Sequence, residues 1–271
     1  MNIRNAISTL GIPTLFRKVI YRNHLQTALF HSVHRQRYGG KYDKVQVADI
    51  SKDEFRECIK WLSKRFRFLS VSDILKGDSR GLIITIDDGF LNNTNITDVL
   101  EEFNAPVVIF VSTQHIVSAT DWLWFIKDRY KLIADEDADP AIVSDLFDGL
   151  GVQKLVELSR HPLIEIGCHT ITHPYLSRIS PEEQYKEIVE SKQYLESIVG
   201  KKVRAFSYPL NDYDLNVYEI VSKNFDCAFA GFKCPLDIPA KYQIPRTYIH
   251  HSNHHYLNLK FSGLHVKPIK L

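Results

Sequence analysis

The sequence predicts an α/β fold in which a parallel sheet of about seven strands closes into a barrel. Three observations support this prediction. Short apolar runs recur along the 271 residues, helical segments separate them, and each polar motif directly follows an apolar run. Strands that alternate with helices form parallel sheets covered by helices. In barrels of this kind, functional side chains lie at the carboxyl ends of the strands.

Composition and charge restrict the class of protein. The chain is 44% hydrophobic and 24% charged, which is typical of a globular protein with a substantial core. Its formal net charge of +2 argues against a nucleic-acid partner, because nucleic-acid-binding proteins carry a stronger basic footprint. No secretory signal and no run of roughly 18 apolar residues is visible, so we expect a cytoplasmic protein.

The first element is a basic amphipathic segment at the N-terminus. Residues 1–26 are predicted as a helical extension, in which Ile3, Ile7 and Leu10 lie at helical spacing among basic residues. Such a helix either packs on the barrel or on a partner subunit, or it contacts the cytoplasmic face of a membrane.

The repeating elements follow in chain order. An amphipathic helix is predicted over residues 53–66. A second helix is predicted over residues 182–198, because Ser180 and Pro181 form a cap and first turn and Gly200 ends it. Seven apolar runs are predicted as strands: residues 27–33, 81–86, 106–111, 163–168, 203–208, 227–231 and 242–249.

One segment interrupts the alternation of strands and helices. Residues 118–160 contain the sequence DWLWFIKDRY and then an acidic stretch, and we interpret them as a helical insertion over the site. They belong to a single predicted domain of residues 27–271. The side chains of Trp122 and Trp124 either stack on a sugar ring or anchor the insertion to the barrel.

Two acidic residues directly follow the apolar run 81–86. Asp87 and Asp88 occur in the sequence TIDDGF. Adjacent buried carboxylates repel each other and lose solvation unless a positive charge lies beside them. A metal ion would supply that charge, with one carboxylate as its ligand and the other facing a water molecule. Alone, the motif is equally compatible with an ordinary turn at Gly89.

Two histidines follow the run 163–168 in the sequence HTITHP. His169 and His173 can aim both imidazoles at one point if the segment is helical. With one aspartate they form the three-ligand set of a catalytic zinc site, which leaves positions open for water and substrate. The two motifs together predict one divalent metal ion. Zinc is the predicted metal, and manganese, cobalt and nickel are alternatives for such a mixed set.

The sequences TIDDGF and HTITHP resemble the first two motifs of the polysaccharide deacetylase family, the NodB-homology group of carbohydrate esterases. Five further segments are similar to family segments: FHSV at 30–33, APVVIFV at 105–111, DWLWFIKDRY at 121–130, FSYPLN at 206–211 and IPR at 244–246. The resemblance covers residues 27–250 and implies a distorted parallel (β/α) barrel, NodB-like, of about seven strands.

The resemblance also implies the roles of single residues. Asp88, His169 and His173 match the metal ligands of the family, and Asp87 matches its general base. The backbone N–H of Leu210 matches a donor to the oxyanion. The third motif departs from the usual Pro-Tyr-Gly, because it continues with leucine and asparagine after the proline.

Two further roles are less directly assigned. The family places an arginine that tethers the base just before the third motif, but Ser207 occupies that position here, and Arg246 is the predicted substitute. The general acid is a late histidine in many members and an early one in others. His31 is the predicted acid because it ends an apolar strand, and His265 is the alternative.

The implied function is the metal-dependent removal of an N-acyl group, first of all acetyl, from a sugar in cell-surface glycan biosynthesis. The expected cytoplasmic location favours a lipid- or nucleotide-linked intermediate as the substrate. One alternative is a deformylase or other amide hydrolase on the same metal site. Another is a catalytically inactive glycan-binding protein.

Overall fold

Residues 24–45, 50–117, 135–232 and 234–262 are described by the computed structural model of the protein. Residues 1–23 of the predicted extension lie outside them. The described strands are β1 (Gln26–Phe30), β2 (Val33–His34), β3 (Ile50–Ser51), β4 (Leu82–Ile86), β5 (Val107–Val111), β6 (Ile164–Cys168), β7 (Ala205–Ser207), β8 (Cys227–Phe229) and β9 (Thr247–Tyr248).

Helices connect these strands along the chain. They are α1 (Lys52–Ser63), α2 (Val71–Leu75), α3 (Thr97–Phe103), α4 (Thr113–Val117), α5 (Pro140–Phe147), α6 (Gly151–Ser159), α7 (Pro181–Tyr185), α8 (Ser191–Val199), α9 (Leu215–Asn224) and α10 (His254–Lys260), with a π-helical segment at Lys186–Glu190 between α7 and α8. Among the described residues, none of the helices combines the length and the apolar character that crossing a bilayer requires.

The main sheet contains seven parallel strands in the order β8-β7-β6-β5-β4-β1-β9. One segment, residues 244–248, joins the two ends of this order. Ile244 bridges to Phe229 of β8, and β9 pairs with Ala28 and Leu29 of β1. The sheet therefore curls into the distorted parallel barrel that the sequence predicted.

The pattern of burial explains why the strands appear in the sequence as continuous apolar runs. Every residue of β4 and β5 is buried, because one face of the sheet meets the helices and the other faces the barrel interior. Alternate residues therefore join different clusters. Ile84 packs with Phe55 of α1 in the outer layer, whereas Ile83 packs with Phe110 and Phe229 inside the barrel.

Several predicted boundaries change in the structure. The predicted strand 27–33 divides, because β1 ends at Phe30 and β2 pairs with β3 in a separate two-stranded sheet. The predicted strand 242–249 is reduced to β9, since residues 240–242 form a 3-10 turn. The predicted helix 182–198 is interrupted by the π-helical segment.

The predicted ends of that interrupted helix are confirmed. The Ser180 side chain accepts a hydrogen bond from the Glu183 backbone N–H, Pro181 is the first helical residue, and Gly200 ends α8 with φ 65°. A serine cap, a first-turn proline and a left-handed glycine are the signals by which a sequence fixes helix ends.

The described part of the predicted insertion is helical and is tied to the Asp-Asp-Gly motif. Residues 148–150 run beside residues 89–91: the Leu91 N–H donates to the Asp148 carbonyl (2.6 Å), and the Leu150 N–H donates to the Gly89 carbonyl (3.0 Å). The insertion therefore helps to fix the backbone at the end of β4. Trp122 and Trp124 lie outside the described residues, and their roles stay predictions.

Substitution of Gly149 tests the close contact of this segment with His115 of α4. A β-carbon at Gly149 would collide with the carbonyl oxygen of His115. We expect Gly149→Ala to lower the free energy of unfolding by about 1–3 kcal/mol, the usual cost of overpacking a close-packed site. Urea denaturation followed by circular dichroism measures this. The control is Gly39→Ala, whose added β-carbon meets nothing within 4 Å. Equal stabilities of the two variants would contradict the assigned contact.

Candidate metal centre and active site

The predicted site residues come together at the carboxyl end of the barrel because the strands are parallel. The side chains that follow or end the strands there are His31 after β1, Asp87 and Asp88 after β4, His169 after β6 and Ser207 at the end of β7. Arg246 enters from the segment 244–248 that pairs with β8 and β1. His173 follows His169 in the next loop.

Asp88, His169 and His173 converge on one point. The Asp88 Oδ1 atom lies 3.5 Å from His169 Nε2 and 3.6 Å from His173 Nε2. The three side chains are buried, and their ligand atoms all lie within 4.8 Å of one another. The two nitrogen–oxygen separations are too long for good hydrogen bonds.

These separations fit a metal ion. A tetrahedral ion with ligand bonds of about 2.1 Å holds its ligand atoms about 3.4 Å apart. The Asp88 Oδ1 atom is buried, and among the described residues it has no hydrogen-bond partner. A buried carboxylate oxygen without a donor is costly, and a cation removes that cost. The donor set of two imidazoles and one carboxylate therefore fits a divalent metal.

The imidazole of His169 is oriented by a backbone group. Its Nδ1 lies 2.8 Å from the Ser207 carbonyl oxygen, which can only accept, so Nδ1 carries a proton and Nε2, which faces Asp88, is the nitrogen left to bind a metal. Burial and then the neighbouring His169 lower the pKa of His173 to about 4, so His173 is neutral at neutral pH. Both rings are thus suited to bind a metal.

The sequence analysis assumed a helix between His169 and His173, but the loop between the two histidines is not helical. Residues 169–173 form no helix, and Thr170 and His173 adopt left-handed φ values of 67° and 57°. The His173 N–H instead donates to Thr170 Oγ1 (3.1 Å). A compact turn, rather than the rise of a helix, brings the two imidazoles together.

Asp87 is held by Arg246 in a fully buried pair. The guanidinium donates to both carboxylate oxygens, from Nη1 to Oδ1 (2.7 Å) and from Nη2 to Oδ2 (2.8 Å). Its remaining hydrogens reach the Ala230 carbonyl, Thr85 Oγ1 and Ser207 Oγ. All five N–H groups of Arg246 therefore have acceptors, as a buried guanidinium requires.

Ser207 completes the setting of Asp87. Its hydroxyl donates to Asp87 Oδ2 (3.0 Å) and accepts from Arg246. Burial raises the pKa of the Asp87 carboxyl, but the charges of Arg246 and then His169 outweigh it, and the pKa lies below its ordinary value of 3.8. Asp87 is therefore ionised at neutral pH, as a proton acceptor must be.

The remaining predicted site residues are His31, Leu210 and His265. His31 lies directly after β1, and its ring packs edge-on against Tyr248. Leu210 lies three residues beyond Ser207, in a turn where its φ is 55°. His265 lies outside the described residues. The roles of His31 and Leu210 stay predictions.

His115 was not identified from the sequence, although it contacts the backbone of the candidate site. Its Nδ1 lies 3.2 Å from the Asp88 carbonyl oxygen, and its Nε2 lies 3.2 Å from that of Phe147. It thereby contacts the backbone of Asp88, which has an unusual left-handed φ of 79°. A single histidine on a short helix gives no sequence signal for this contact.

Comparison with known proteins agrees with this geometry. Residues 75–225, just over half of the chain, match the family described as polysaccharide deacetylase. The chain belongs to the polysaccharide deacetylase family. The resemblance found in the sequence motifs is thus confirmed. The matched region contains both carboxylates and both histidines.

Individual members of the family are distant relatives of this chain. YxkH of Bacillus subtilis (strain 168), which is named as a polysaccharide deacetylase, is 21% identical over 183 residues. That match covers 64% of the present chain and 55% of YxkH, so the chain spans little more than half of this relative.

Solved structures of family members share the fold. The Streptococcus pyogenes deacetylase PplD, determined with acetate, has a TM-score of 0.65 at 17% identity, over 87% of this chain and 96% of PplD. IcaB from Ammonifex degensii has a TM-score of 0.65 at 16% identity, over 89% and 97% of the two chains. At these sequence identities, the structural similarity establishes only that the chain shares the barrel fold.

Removal of the Arg246 guanidinium tests the buried pair. We expect Arg246→Met to lower the free energy of unfolding by about 3–5 kcal/mol, because it leaves a buried, uncompensated carboxylate. Pairing lowers the pKa of folded Asp87 below 3.8, so the stabilisation is present above that value. It is lost as pH falls through the lowered pKa, and the difference between wild type and variant should shrink there.

Urea denaturation of the metal-free protein at several pH values measures this prediction. The control is Arg204→Met, because Arg204 pairs with Asp226 at a half-buried site (2.9 Å) where we expect a loss below about 1 kcal/mol. Adding Asp87→Asn to Arg246→Met should recover stability, since the orphaned charge is then absent. Losses of similar size for both arginine variants would contradict a special role for the Asp87–Arg246 pair.

Proposed function

We propose that this chain is a metal-dependent hydrolase that removes an N-acetyl group from a sugar. The main observation behind this proposal is that two neighbouring carboxylates at the end of one strand have different surroundings. Asp88 faces two imidazoles with an oxygen that lacks a donor, whereas Asp87, the preceding residue, accepts hydrogen bonds from Arg246 and Ser207 and keeps a free acceptor site on Oδ1. One carboxylate suits a metal, and the other suits a proton.

The metal in this proposal is zinc, held by Asp88, His169 and His173. Two imidazoles and one carboxylate form a common three-ligand set of catalytic zinc. When bound, the ion would act as a Lewis acid that polarises the acyl carbonyl and lowers the pKa of water. Cobalt, nickel and manganese also bind mixed nitrogen and oxygen sets, so their affinities should be compared with that of zinc.

Asp87 is the proton acceptor in the proposed reaction. A water molecule attacks the acyl carbon and gives a proton to Asp87, while a new C–O bond forms. Arg246 keeps the carboxylate ionised before the step and fixes both of its oxygens, so that the group does not need to reorient. Ser207 holds the same carboxylate from the β7 side.

Leu210 supplies the proposed donor for the negative charge that develops on the acyl oxygen. Its backbone N–H can serve whatever the side chain is, so loss of the family's tyrosine does not remove the donor. Both Leu210 and Asn211 have left-handed φ values, 55° and 54°. A leucine in that region is strained, and such strain concentrates where a backbone is held for function.

His31 is the proposed acid for the leaving group. When the C–N bond breaks, the amine nitrogen must receive a proton, because an amine anion is a very poor leaving group. His31 directly follows β1, which pairs with β4, and the two site carboxylates directly follow β4. The products are then a free carboxylate and the amino sugar, with one water molecule consumed.

The prediction of the acyl group and the prediction of the sugar have different evidence behind them. Acetyl is favoured because the family is one of deacetylases. A lipid- or nucleotide-linked sugar in glycan biosynthesis stays a prediction, as do the cytoplasmic location and the contact with a membrane surface. A deformylase or another amide hydrolase would use the same residues, and only a substrate comparison separates these activities.

An inactive glycan-binding protein is disfavoured by the completeness of the site. Both carboxylates, both imidazoles and the arginine that holds the base are present and oriented. The changed third motif is the one feature that would support inactivity. It alters side chains at residues 210 and 211, while a backbone donor remains available there.

Metal content and acetate release, measured on the same purified protein, test the proposal. We expect wild type to hold one zinc ion per chain and to release acetate from N-acetylated oligosaccharides. Asp88→Ala should lose both properties, because it removes one of the three ligands. His31→Gln should keep the metal and slow acetate release by about 10²–10⁴-fold, the usual contribution of a general acid.

The control is Asp137→Ala, which removes an exposed carboxylate on the described part of the insertion and should behave as wild type. Wild-type protein that binds no divalent metal would contradict the metal centre. Zinc binding with release of formate from N-formylated sugars, and no acetate from N-acetylated ones, would contradict the proposed acyl group.

A further inference from the structure

A glutamate outside the site holds the loop between the two predicted histidine ligands. The Glu187 carboxylate accepts three hydrogen bonds from this loop. Its Oε2 accepts from the backbone N–H groups of Ile171 (2.8 Å) and Thr172 (2.9 Å), and its Oε1 accepts from Thr172 Oγ1 (2.7 Å). Each of these donors lies between His169 and His173 in the chain.

The loop needs such a partner because it is not helical. In a helix, carbonyls of the preceding turn would accept from successive N–H groups, but here the left-handed Thr170 and His173 end any regular pattern. Glu187 replaces those carbonyls. On the other side, the N–H groups of Thr113 and Gln114 donate to the loop carbonyls of residues 170 and 171 (3.0 Å each). The loop is therefore fixed from two directions.

The position of Glu187 is set by the π-helical segment Lys186–Glu190. A π-helical turn contains one residue more than an α-helical turn, so the side chains after it are shifted around the helix relative to those before it. Such turns occur frequently at functional sites. Ser191, at the end of the segment, donates to the Glu187 carbonyl (2.6 Å) and contacts Cys168 Sγ (2.9 Å). Cys168 directly precedes His169, so helix and strand end are joined at the site.

We infer that Glu187 is a positioning residue for the metal centre, acting through the backbone of the loop rather than on either imidazole. This inference depends on the metal site of the proposed function, but not on the proposed reaction or substrate. Groups that orient metal ligands typically change metal affinity by 10–100-fold when they are removed. Glu187 fixes the distance between two ligands, so its loss should widen the range of His169–His173 separations in the metal-free protein.

Zinc affinity of the metal-free 271-residue chain, measured by competition with a chromophoric chelator, tests this inference. We expect Glu187→Ala to weaken zinc binding by about 10–100-fold. Ile171 and Thr172 are partly exposed, so water can replace the lost acceptor, and the thermal unfolding of the metal-free protein should change little. Glu187→Gln should restore most of the affinity, because its amide oxygen can accept from both N–H groups.

The matched control is Glu190→Ala, an exposed glutamate of the same π-helical segment, which should bind zinc as wild type does. Equal zinc affinities of Glu187→Ala and wild type would overturn the inference. It would also be overturned if Glu187→Ala only lowered the unfolding temperature while the folded variant kept its affinity. Failure of wild type itself to bind zinc would instead contradict the proposed function, which keeps the two failures distinct.

Discussion

Two adjacent buried carboxylates are the constraint on which the rest of this structure depends. Asp87 and Asp88 are 3% and 5% exposed at the end of a fully buried strand, where neither charge has solvent to stabilise it. The fold compensates them differently. Arg246 neutralises the first through two short hydrogen bonds, and the second turns away through a left-handed backbone to face two imidazoles. The proposed separation of proton transfer from metal binding follows from that difference.

The barrel supplies these partners through its connections. Arg246 belongs to the segment that pairs with both β8 and β1. The segment that closes the barrel therefore also supplies the charge that neutralises Asp87. The loop after β6 brings both histidines, and the Ser207 carbonyl on β7 orients one of them. Five non-glycine residues at this end of the barrel have left-handed φ values: Asp88, Thr170, His173, Leu210 and Asn211. Strain of this kind persists only where surrounding contacts over-determine the backbone, as at functional sites.

The sequence predicts the barrel well because buried strands and helix caps leave local signals. β4 and β5 are apolar on both faces, and Ser180 and Gly200 end their helix by side-chain and backbone chemistry that short segments reveal. The clustering of Asp88, His169 and His173 is also predictable, since two adjacent carboxylates at the end of a buried strand require a compensating positive charge.

Other features could not be predicted, because they are decided by residues distant in the chain. The spacing of His169 and His173 is compatible with a helix or a turn, and the turn is fixed by Glu187, which a local pattern does not reveal. His115 contacts the Asp88 backbone without any motif of its own. The break of the predicted strand 27–33 depends on the pairing of β2 with β3, a contact between segments 17 residues apart.

X-ray absorption spectroscopy of the zinc-loaded protein tests the central claim most directly, because it reports the atoms bound to the metal without reference to any substrate. The structure predicts two imidazole nitrogens and one carboxylate oxygen at about 2.0–2.2 Å. It also predicts the loss of one imidazole contribution in a His173→Ala variant. The described cysteines are all free thiols, so sulfur ligands at about 2.3 Å are available as an alternative. Sulfur among the bound atoms, or a ligand set without imidazole, would contradict the assignment of Asp88, His169 and His173 as the metal centre.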